Sequence, residues 1–196
     1  MKFTFNLVIS ALALLAQTVT AATNVPVDPA GDVVAIQSPT NKPTWIVYQN
    51  RRKGNLVAMR VSGPFSDGQL VETVTAVPAN RVLFGTPLAI AQQSQEDNDP
   101  GKVQLFFFDR DNILSEARWT KERGWYSGSD CPVCIDQKTR YQAVLGSKVL
   151  YAGGSNHKDR KAGMRVGFQS ADYPDNTLAE ADRQDAKWVL APLTQA

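Results

Sequence analysis

The chain has 196 residues and a formal net charge of +2, and 43% of its residues are apolar, which is typical of a globular protein. Its 21 basic and 19 acidic side chains are mixed along the sequence, so nucleic acid and anionic membranes are poor candidate partners. With one histidine and two cysteines, the sequence predicts no metal site.

The first 21 residues have the pattern of a secretory signal peptide. Lys2 gives a positive start, an apolar run extends from Leu7 to Ala16, and small residues around Ala21 suit a signal-peptidase cut. The run is shorter than the roughly 18 residues of a membrane span. We therefore expect a secreted, extracellular protein, in which residues 22–30 form a loose leader into a single domain at 31–196.

The rest of the chain predicts an all-β protein, because short runs of Val, Ile, Phe, Tyr and Trp recur between Gly, Asn, Asp and Pro. One cassette of strand, turn and strand occurs three times. Its copies are Ile46-Val47-Tyr48-Gln49 before Gly54-Asn55-Leu56, Leu105-Phe106-Phe107-Phe108 before Asn112-Ile113-Leu114, and Val166-Gly167-Phe168-Gln169 before Asn176-Thr177-Leu178. With a strand before and after each copy, the repeat predicts three four-stranded units at about 31–82, 83–143 and 144–196. Such units are typical of β-propeller blades, and a β-sandwich is the alternative.

The two cysteines, Cys131 and Cys134, lie in the turn-like stretch Asp130-Cys131-Pro132-Val133-Cys134. In an oxidising compartment they predict a local structural disulfide. A thioredoxin-like redox pair is the alternative, although that motif needs a helix N-terminus directly after a strand.

Catalysis has little support in the sequence, so we predict no catalytic residues and no cofactor. His157, the only histidine, lies in a polar loop, which argues against serine-type triads. Paired carboxylates can hydrolyse glycosides without histidine, but no two acidic residues stand out as such a pair. A glycoside hydrolase is kept as an alternative.

The third unit carries a cation, a carboxylate and an indole, at Arg165, Glu180 and Trp188. A sugar needs this combination, because its hydroxyls take charge-assisted hydrogen bonds while its C–H face packs on an aromatic ring. The set favours recognition over turnover. The structural alternative is a surface ion pair between Arg165 and Glu180, with Trp188 as a core residue.

The strand Arg165-Val166-Gly167-Phe168-Gln169 resembles the Arg-Val-Tyr-Tyr-Gln strand of the fungal fucose-specific lectins, which are six-bladed β-propellers with sugar sites between blades. Similar stretches run from Asn112 to Trp119, from Gly124 to Gly128 and from Gly85 to Ile90, so the likeness covers most of the mature chain. The resemblance implies a non-enzymatic lectin that binds fucosylated or related glycans.

The resemblance also implies roles for single residues. In this family an arginine that opens one strand and a glutamate that ends the next hold the sugar, and a tryptophan or tyrosine, often from the neighbouring blade, packs on its methyl side. The third unit keeps these residues as Arg165, Glu180 and Trp188. We therefore predict a complete sugar-binding set in this unit.

The other two units depart from the pattern. The second keeps Glu116 and Trp125 but has Gln104 where the arginine belongs. The first has Trp45 and Ala58 at the arginine and glutamate positions, so we expect it to be a structural blade.

Three units are half of a six-bladed ring, and an open half exposes sheet edges. Either two chains close one ring as a homodimer, or the chain folds as an open half with blunted edges. The leading hypothesis is a secreted lectin-like protein that binds fucose or a related sugar. The alternative is a secreted propeller-fold interaction protein that has lost sugar binding and binds a protein partner, because two of the three units lack the complete pair.

Overall fold

The computed structural model describes residues 24–37, 43–63, 68–93, 102–154, 163–173, 177–184 and 187–195. The predicted signal peptide and the loop that carries His157 lie outside the described residues. No helix in the described ranges has the length and apolar character needed to cross a membrane.

Three four-stranded antiparallel sheets make up the fold, and in each sheet strands that follow one another along the chain lie side by side. The first sheet contains β1 (Pro29–Gln37), β2 (Thr44–Asn50), β3 (Leu56–Val61) and β4 (Leu70–Val77). The second contains β5 (Ala89–Gln93), β6 (Lys102–Phe108), β7 (Leu114–Thr120) and β8 (Gly124–Ser127). The third contains β9 (Leu150–Gly154), β10 (Met164–Gln169), β11 (Leu178–Gln184) and β12 (Lys187–Pro192). The predicted all-β class and the three four-stranded repeats are confirmed.

Short helical turns connect the sheets. Residues Ala79–Arg81 and Gly128–Asp130 form single 3-10 turns, and the one-turn helix α1 spans Ile135–Lys138. The first strand begins at Pro29, inside the segment predicted as a leader. The predicted disulfide between Cys131 and Cys134 is present, immediately before α1, and both cysteines are fully buried.

The three sheets pack face to face in chain order, with β1 against β5 and β5 against β9. Two apolar clusters fill the spaces between them, so each sheet buries its face against its neighbour rather than against a separate core. The cluster between the first and second sheets contains Trp45, Val47, Leu56, Ala58, Ala76, Val77, Val82, Leu88, Val103, Leu105, Phe107 and Ala117. The cluster between the second and third contains Ala89, Ala91, Phe106, Phe108, Leu114, Ile135, Ala143, Met164, Val166, Phe168, Ala181 and Trp188.

The repeated cassette encodes a hairpin whose tip needs a left-handed residue. Gly54 fills that position in the first sheet with φ 74°, and Asn112 fills it in the second with φ 62°. Asparagine tolerates this conformation better than most residues. The residue that opens each tip also caps it with its side chain, because Asn50 Oδ1 accepts from the Arg52 N–H and Asp109 Oδ1 accepts from the Asp111 N–H.

The glutamine that ends the first cassette strand ties the sheet to the connection that follows it. Gln49 is 1% exposed, and its Nε2 donates to the Gly54 and Leu83 carbonyls at 2.9 and 3.2 Å. Its Oε1 accepts from the Gly85 N–H at 2.7 Å. Gln169 has a similar role in the third sheet, where its Oε1 accepts from the Ser147 hydroxyl at 2.7 Å. The glutamine of the cassette is therefore a structural residue.

Replacing Trp45 by alanine should destabilise the protein by about 3–5 kcal/mol, because a fully buried indole between two sheets would leave a large cavity. Urea unfolding followed by tryptophan fluorescence and circular dichroism measures the change. Phe84→Ala is the matched control, since this aromatic ring is 62% exposed and its loss should change the unfolding free energy by less than about 0.5 kcal/mol. Similar losses in the two variants would contradict the packing described above.

Candidate functional site

Strand register brings two of the predicted sugar-binding residues onto one face of the third sheet. On β10, Arg165 lies opposite Gly153 of β9 and Asp182 of β11. Two residues along, Gly167 lies between Tyr151 of β9 and Glu180 of β11. Because side chains alternate between the faces of a strand, Arg165 and Glu180 are diagonal neighbours on the same face.

Glu180 is the centre of a three-residue group on this face. One of its carboxylate oxygens, Oε2, lies 3.5 Å from Nη1 of Arg165. The other, Oε1, accepts a hydrogen bond of 2.7 Å from the phenol of Tyr151. The Glu180 side chain is 19% exposed, whereas the Arg165 side chain is 62% exposed. The carboxylate is thus fixed from two sides, and the guanidinium keeps donors that face solvent.

A glycine makes room for the tyrosine of this group. A Cβ atom on Gly167 would collide with the ring of Tyr151, so only glycine lets the ring lie flat across β10. Burial raises the pKa of Tyr151 to about 12, and the hydrogen bond to Glu180 and the charge of Glu180 add to the rise while Arg165 opposes it. The phenol is therefore held neutral as a donor to the carboxylate.

This face is open. It is the side of the third sheet that points away from the second sheet, and a shallow cleft of about 360 Å³ lies beside Arg165. The cleft is lined by Gly153, Gly154, Gly163, Arg165 and Asp182. Because three of these residues are glycines, the backbone is accessible next to the guanidinium. A small polar ligand could therefore reach both the charged group and main-chain atoms.

Trp188 lies on the opposite face of the same sheet. Its ring packs edge-on against Phe106 of the second sheet, with centroids 6.2 Å apart, and it is 6% exposed. The structure therefore brings Arg165 and Glu180 together but separates Trp188 from them. The aromatic ring beside Glu180 is Tyr151 instead.

The second sheet has a carboxylate at the equivalent position, but it is enclosed. By strand register, Glu116 has the same place in the second sheet as Glu180 in the third, because each lies on the third strand opposite the middle of the second strand. Gln104 likewise has the place of Arg165. Glu116 is fully buried and forms an ion pair of 2.6 Å with Arg118. Burial raises the pKa of Glu116, while the charge of Arg118 and a hydrogen bond from the Ile135 N–H oppose the rise.

The first sheet carries no polar group at the same two positions. Trp45 and Ala58 are both buried there, and the indole of Trp45 packs against Trp119 at 5.1 Å and edge-on against Trp125 at 5.5 Å. Trp125 is therefore part of the cluster between the first and second sheets and lies away from Glu116. The space that would hold a ligand is filled by three indoles.

Tyr151 is the site residue that the sequence analysis missed. It lies in the strand predicted at Val149 to Ala152, and nothing in that strand alone points to Glu180. The available signal was Gly167, which stands where the resembled strand has a tyrosine and so leaves a gap for another ring. Recognising the partner required the register of β9 on β10.

Among the described residues, no group of three or more His, Cys, Asp or Glu side chains is arranged to hold a metal ion. The open face of the third sheet offers one guanidinium, two carboxylates and a phenol, a set that suits a neutral ligand with several hydroxyls.

Comparison with known proteins identifies relatives by fold only. No protein-family profile and no curated protein matches the sequence. Among solved structures, the chain is similar to a fucose lectin from Kordia zhangzhouensis in complex with methyl-fucoside, with 14% identity and a TM-score of 0.54 over 84% of this chain and 100% of that chain. It is also similar to the fucose-specific lectin from Aleuria aurantia, with 18% identity and a TM-score of 0.60 over 84% of this chain and 49% of that chain.

A mutant of AofleA from Arthrobotrys oligospora gives a comparable match, with 15% identity and a TM-score of 0.60 over 87% of this chain and 45% of that chain. The chain thus spans about half the length of the Aleuria and Arthrobotrys chains and the whole of the Kordia chain. The β-propeller-type fold inferred from the sequence is confirmed.

Tyr151 should make the stability of the protein depend on alkaline pH. The unfolded chain releases the phenol proton near the ordinary pKa of about 10, whereas the folded chain holds it until about 12. The stabilisation is therefore fully present below pH 10 and is lost as the pH rises to about 12. Below about pH 10 the free energies of unfolding of the wild type and Tyr151→Phe should differ by a constant amount, and between about pH 10 and pH 12 the wild type should lose stability relative to the variant. A difference that stays constant over the whole range would contradict the hydrogen bond to Glu180.

Proposed function

We propose that the protein is a lectin-like protein that binds fucose or a related sugar on the open face of its third sheet. The observation that carries the proposal is the group formed by Arg165, Glu180 and Tyr151, in which a cation, a carboxylate and an aromatic ring lie within contact distance. The fold it shares with fucose lectins supports this proposal.

Each residue of the group has a role suited to a sugar. The exposed guanidinium of Arg165 would donate two hydrogen bonds to neighbouring sugar oxygens, and Glu180 would accept from a hydroxyl. The ring of Tyr151 offers an apolar surface for a C–H face or a methyl group. Asp182, which lies directly opposite Arg165, adds a second acceptor at the edge of the cleft.

Binding without turnover is part of the proposal. Both oxygens of Glu180 are already engaged by Arg165 and Tyr151, which suits a fixed acceptor better than a group that transfers protons.

Secretion is also part of the proposal. The N-terminal pattern of residues 1–21 supports it, and an extracellular protein meets glycans at cell surfaces.

A homodimer that closes a six-bladed ring is proposed as the functional state. Val189 is 47% exposed on the open face of the third sheet. Val33 is 53% exposed on the face of the first sheet that points away from the second sheet. The match to half of the longer Aleuria chain supports a second copy as the occupant of these faces. In a two-fold dimer the two junctions would be identical, and each would enclose one Arg165 group.

A protein partner instead of a sugar is the second candidate. It is favoured by the absence of an open polar pair in the described parts of the first two sheets, where Trp45 fills one space and the segment around Ile135 encloses Glu116 in the other. Among the described residues, one of the three equivalent sheet positions has a solvent-accessible pair of a cation and a carboxylate. The sugar-binding experiment below separates the two candidates.

Arg165→Ala should weaken sugar binding by about 10- to 100-fold, because a hydrogen bond from a charged donor contributes about 1.5–3 kcal/mol. Calorimetry with methyl fucoside measures the affinity of the folded wild type and the variant. Arg60→Ala is the matched control, since Arg60 also forms a cross-strand ion pair, with Glu72 at 2.7 Å, but lies in the first sheet. Absence of binding by the wild type to fucose and fucosylated glycans would exclude the sugar and favour a protein partner.

Light scattering should give a mass twice that of one mature chain. Val33→Glu should halve this mass, because the change puts a charge on the face that would be buried at the junction. Val133→Glu places the same charge at an exposed position away from both open faces and should leave the dimer intact. A monomeric wild type at the concentrations used for sugar binding would show that the open half is the functional form.

A further inference from the structure

The segment of residues 131–138, which we call the plug segment, lies over Glu116. It contains the Cys131–Cys134 disulfide and α1, and it packs against β7 and β12. On its inner side Ile135 is fully buried, while Val133 on its outer side is 44% exposed. The segment therefore has one face in the space between the second and third sheets and one face in solvent.

The plug segment lies beside Glu116 where, in the third sheet, the fourth strand lies beside Glu180. In the third sheet, β12 pairs with β11 from Ala179 to Gln184 and so passes Glu180. In the second sheet, β8 pairs with β7 only from Ala117 to Thr120 and stops before Glu116. The backbone N–H of Glu116 donates instead to the Asp136 carboxylate of the plug segment at 3.3 Å.

The inner groups of the plug segment match the chemistry of a bound sugar. Its Ile135 N–H donates to Glu116 Oε2 at 2.9 Å, as a hydroxyl donor would. Its Val133 carbonyl accepts from Nη2 of Arg118 at 3.1 Å, as a sugar oxygen would. The apolar side chain of Ile135 lies in the cluster that contains Trp188 and Phe106, as a sugar methyl group would.

The charges around this space also suit an uncharged polar ligand. Glu116 forms an ion pair with Arg118. Burial lowers the pKa of Arg183 on β11, the charge of Arg118 lowers it further, and the charge of Glu116 opposes the change. Arg183 lies directly opposite Trp188 across β11 and β12. A carboxylate, two guanidinium groups and an indole thus converge on the space between the sheets.

We propose that the plug segment is an internal competitor that occupies a second saccharide site formed by Glu116, Arg118 and Trp188. The proposal rests on the proposed function of the Arg165 site, since it assigns the same ligand class to the equivalent position. In this arrangement the disulfide keeps the segment short and rigid, so the internal competitor stays bound. A chain with the segment displaced binds one further sugar.

A proline at residue 135 tests this proposal with little disturbance of the backbone. Proline has no N–H, so Ile135→Pro deletes the donor to Glu116. Residue 135 is the first residue of α1, and Cys134 before it has φ −68° and ψ 153°, a conformation that a following proline allows. Combined with Cys131→Ser and Cys134→Ser, the change also removes the covalent closure of the segment.

The experiment is carried out in the Arg165→Ala background, so that the first site is weakened. Saturation-transfer NMR and calorimetry with methyl fucoside should show only the weakened binding of the first site in Arg165→Ala alone, and one additional sugar per chain after the three plug changes. Ile135→Val in the same background keeps the N–H and should show no gain. Adding Glu116→Gln to the opened variant should remove the gained binding, because the amide no longer offers a charged acceptor.

The outcomes distinguish this proposal from the function on which it rests. If the wild type binds one sugar through Arg165 and the opened variant, folded by circular dichroism, binds no additional sugar, the plug segment is only a structural element and the proposal is overturned. If the wild type binds no sugar and the opened variant binds one, the internal competitor is supported and the Arg165 site is rejected. Absence of binding in both proteins overturns both.

Discussion

The structure depends on one constraint, which is that each sheet buries its face only against the next sheet. No separate core exists in the described residues beyond the small cluster of Tyr48, Val57 and Met59 on the first sheet, so the spaces between sheets must supply most of the hydrophobic stabilisation. Any charged group at the centre of such a space must form an ion pair, accept hydrogen bonds from or donate them to an inserted chain segment, or reach solvent, because an unpaired buried charge is costly.

The three sheets satisfy this constraint in three ways at the same register position. The first sheet replaces the polar pair by Trp45 and Ala58 and becomes ordinary core. The second keeps the carboxylate of Glu116 and pairs it with Arg118 and a backbone N–H. In the third, no further described sheet packs on the face that carries Arg165 and Glu180, and the Arg165 side chain is 62% exposed. Accessible charged groups are therefore concentrated where packing is incomplete.

Much of the fold and part of the site could be predicted from the sequence. The cassette spacing and the residues of its turns, such as Gly54 and Asn112, are local signals, and they gave the class and the number of sheets. Arg165 and Glu180 could be paired because they flank one cassette and match the arginine and glutamate positions of the resembled lectin strands. Tyr151 and the position of Trp188 could not, since the face that each side chain occupies depends on register between strands and on which sheet packs on which face.

By itself the sequence determined the repeated strands, the local disulfide and the one unit in which the cation and the carboxylate occur together. These features depend on short-range spacing, which the order of residues specifies directly. Only the tertiary structure decided that Glu116 is enclosed while Glu180 is open, and that Tyr151 rather than Trp188 stands beside the carboxylate. Those outcomes depend on burial between sheets that are far apart in the chain, and on the 131–138 segment occupying the space where β8 ends.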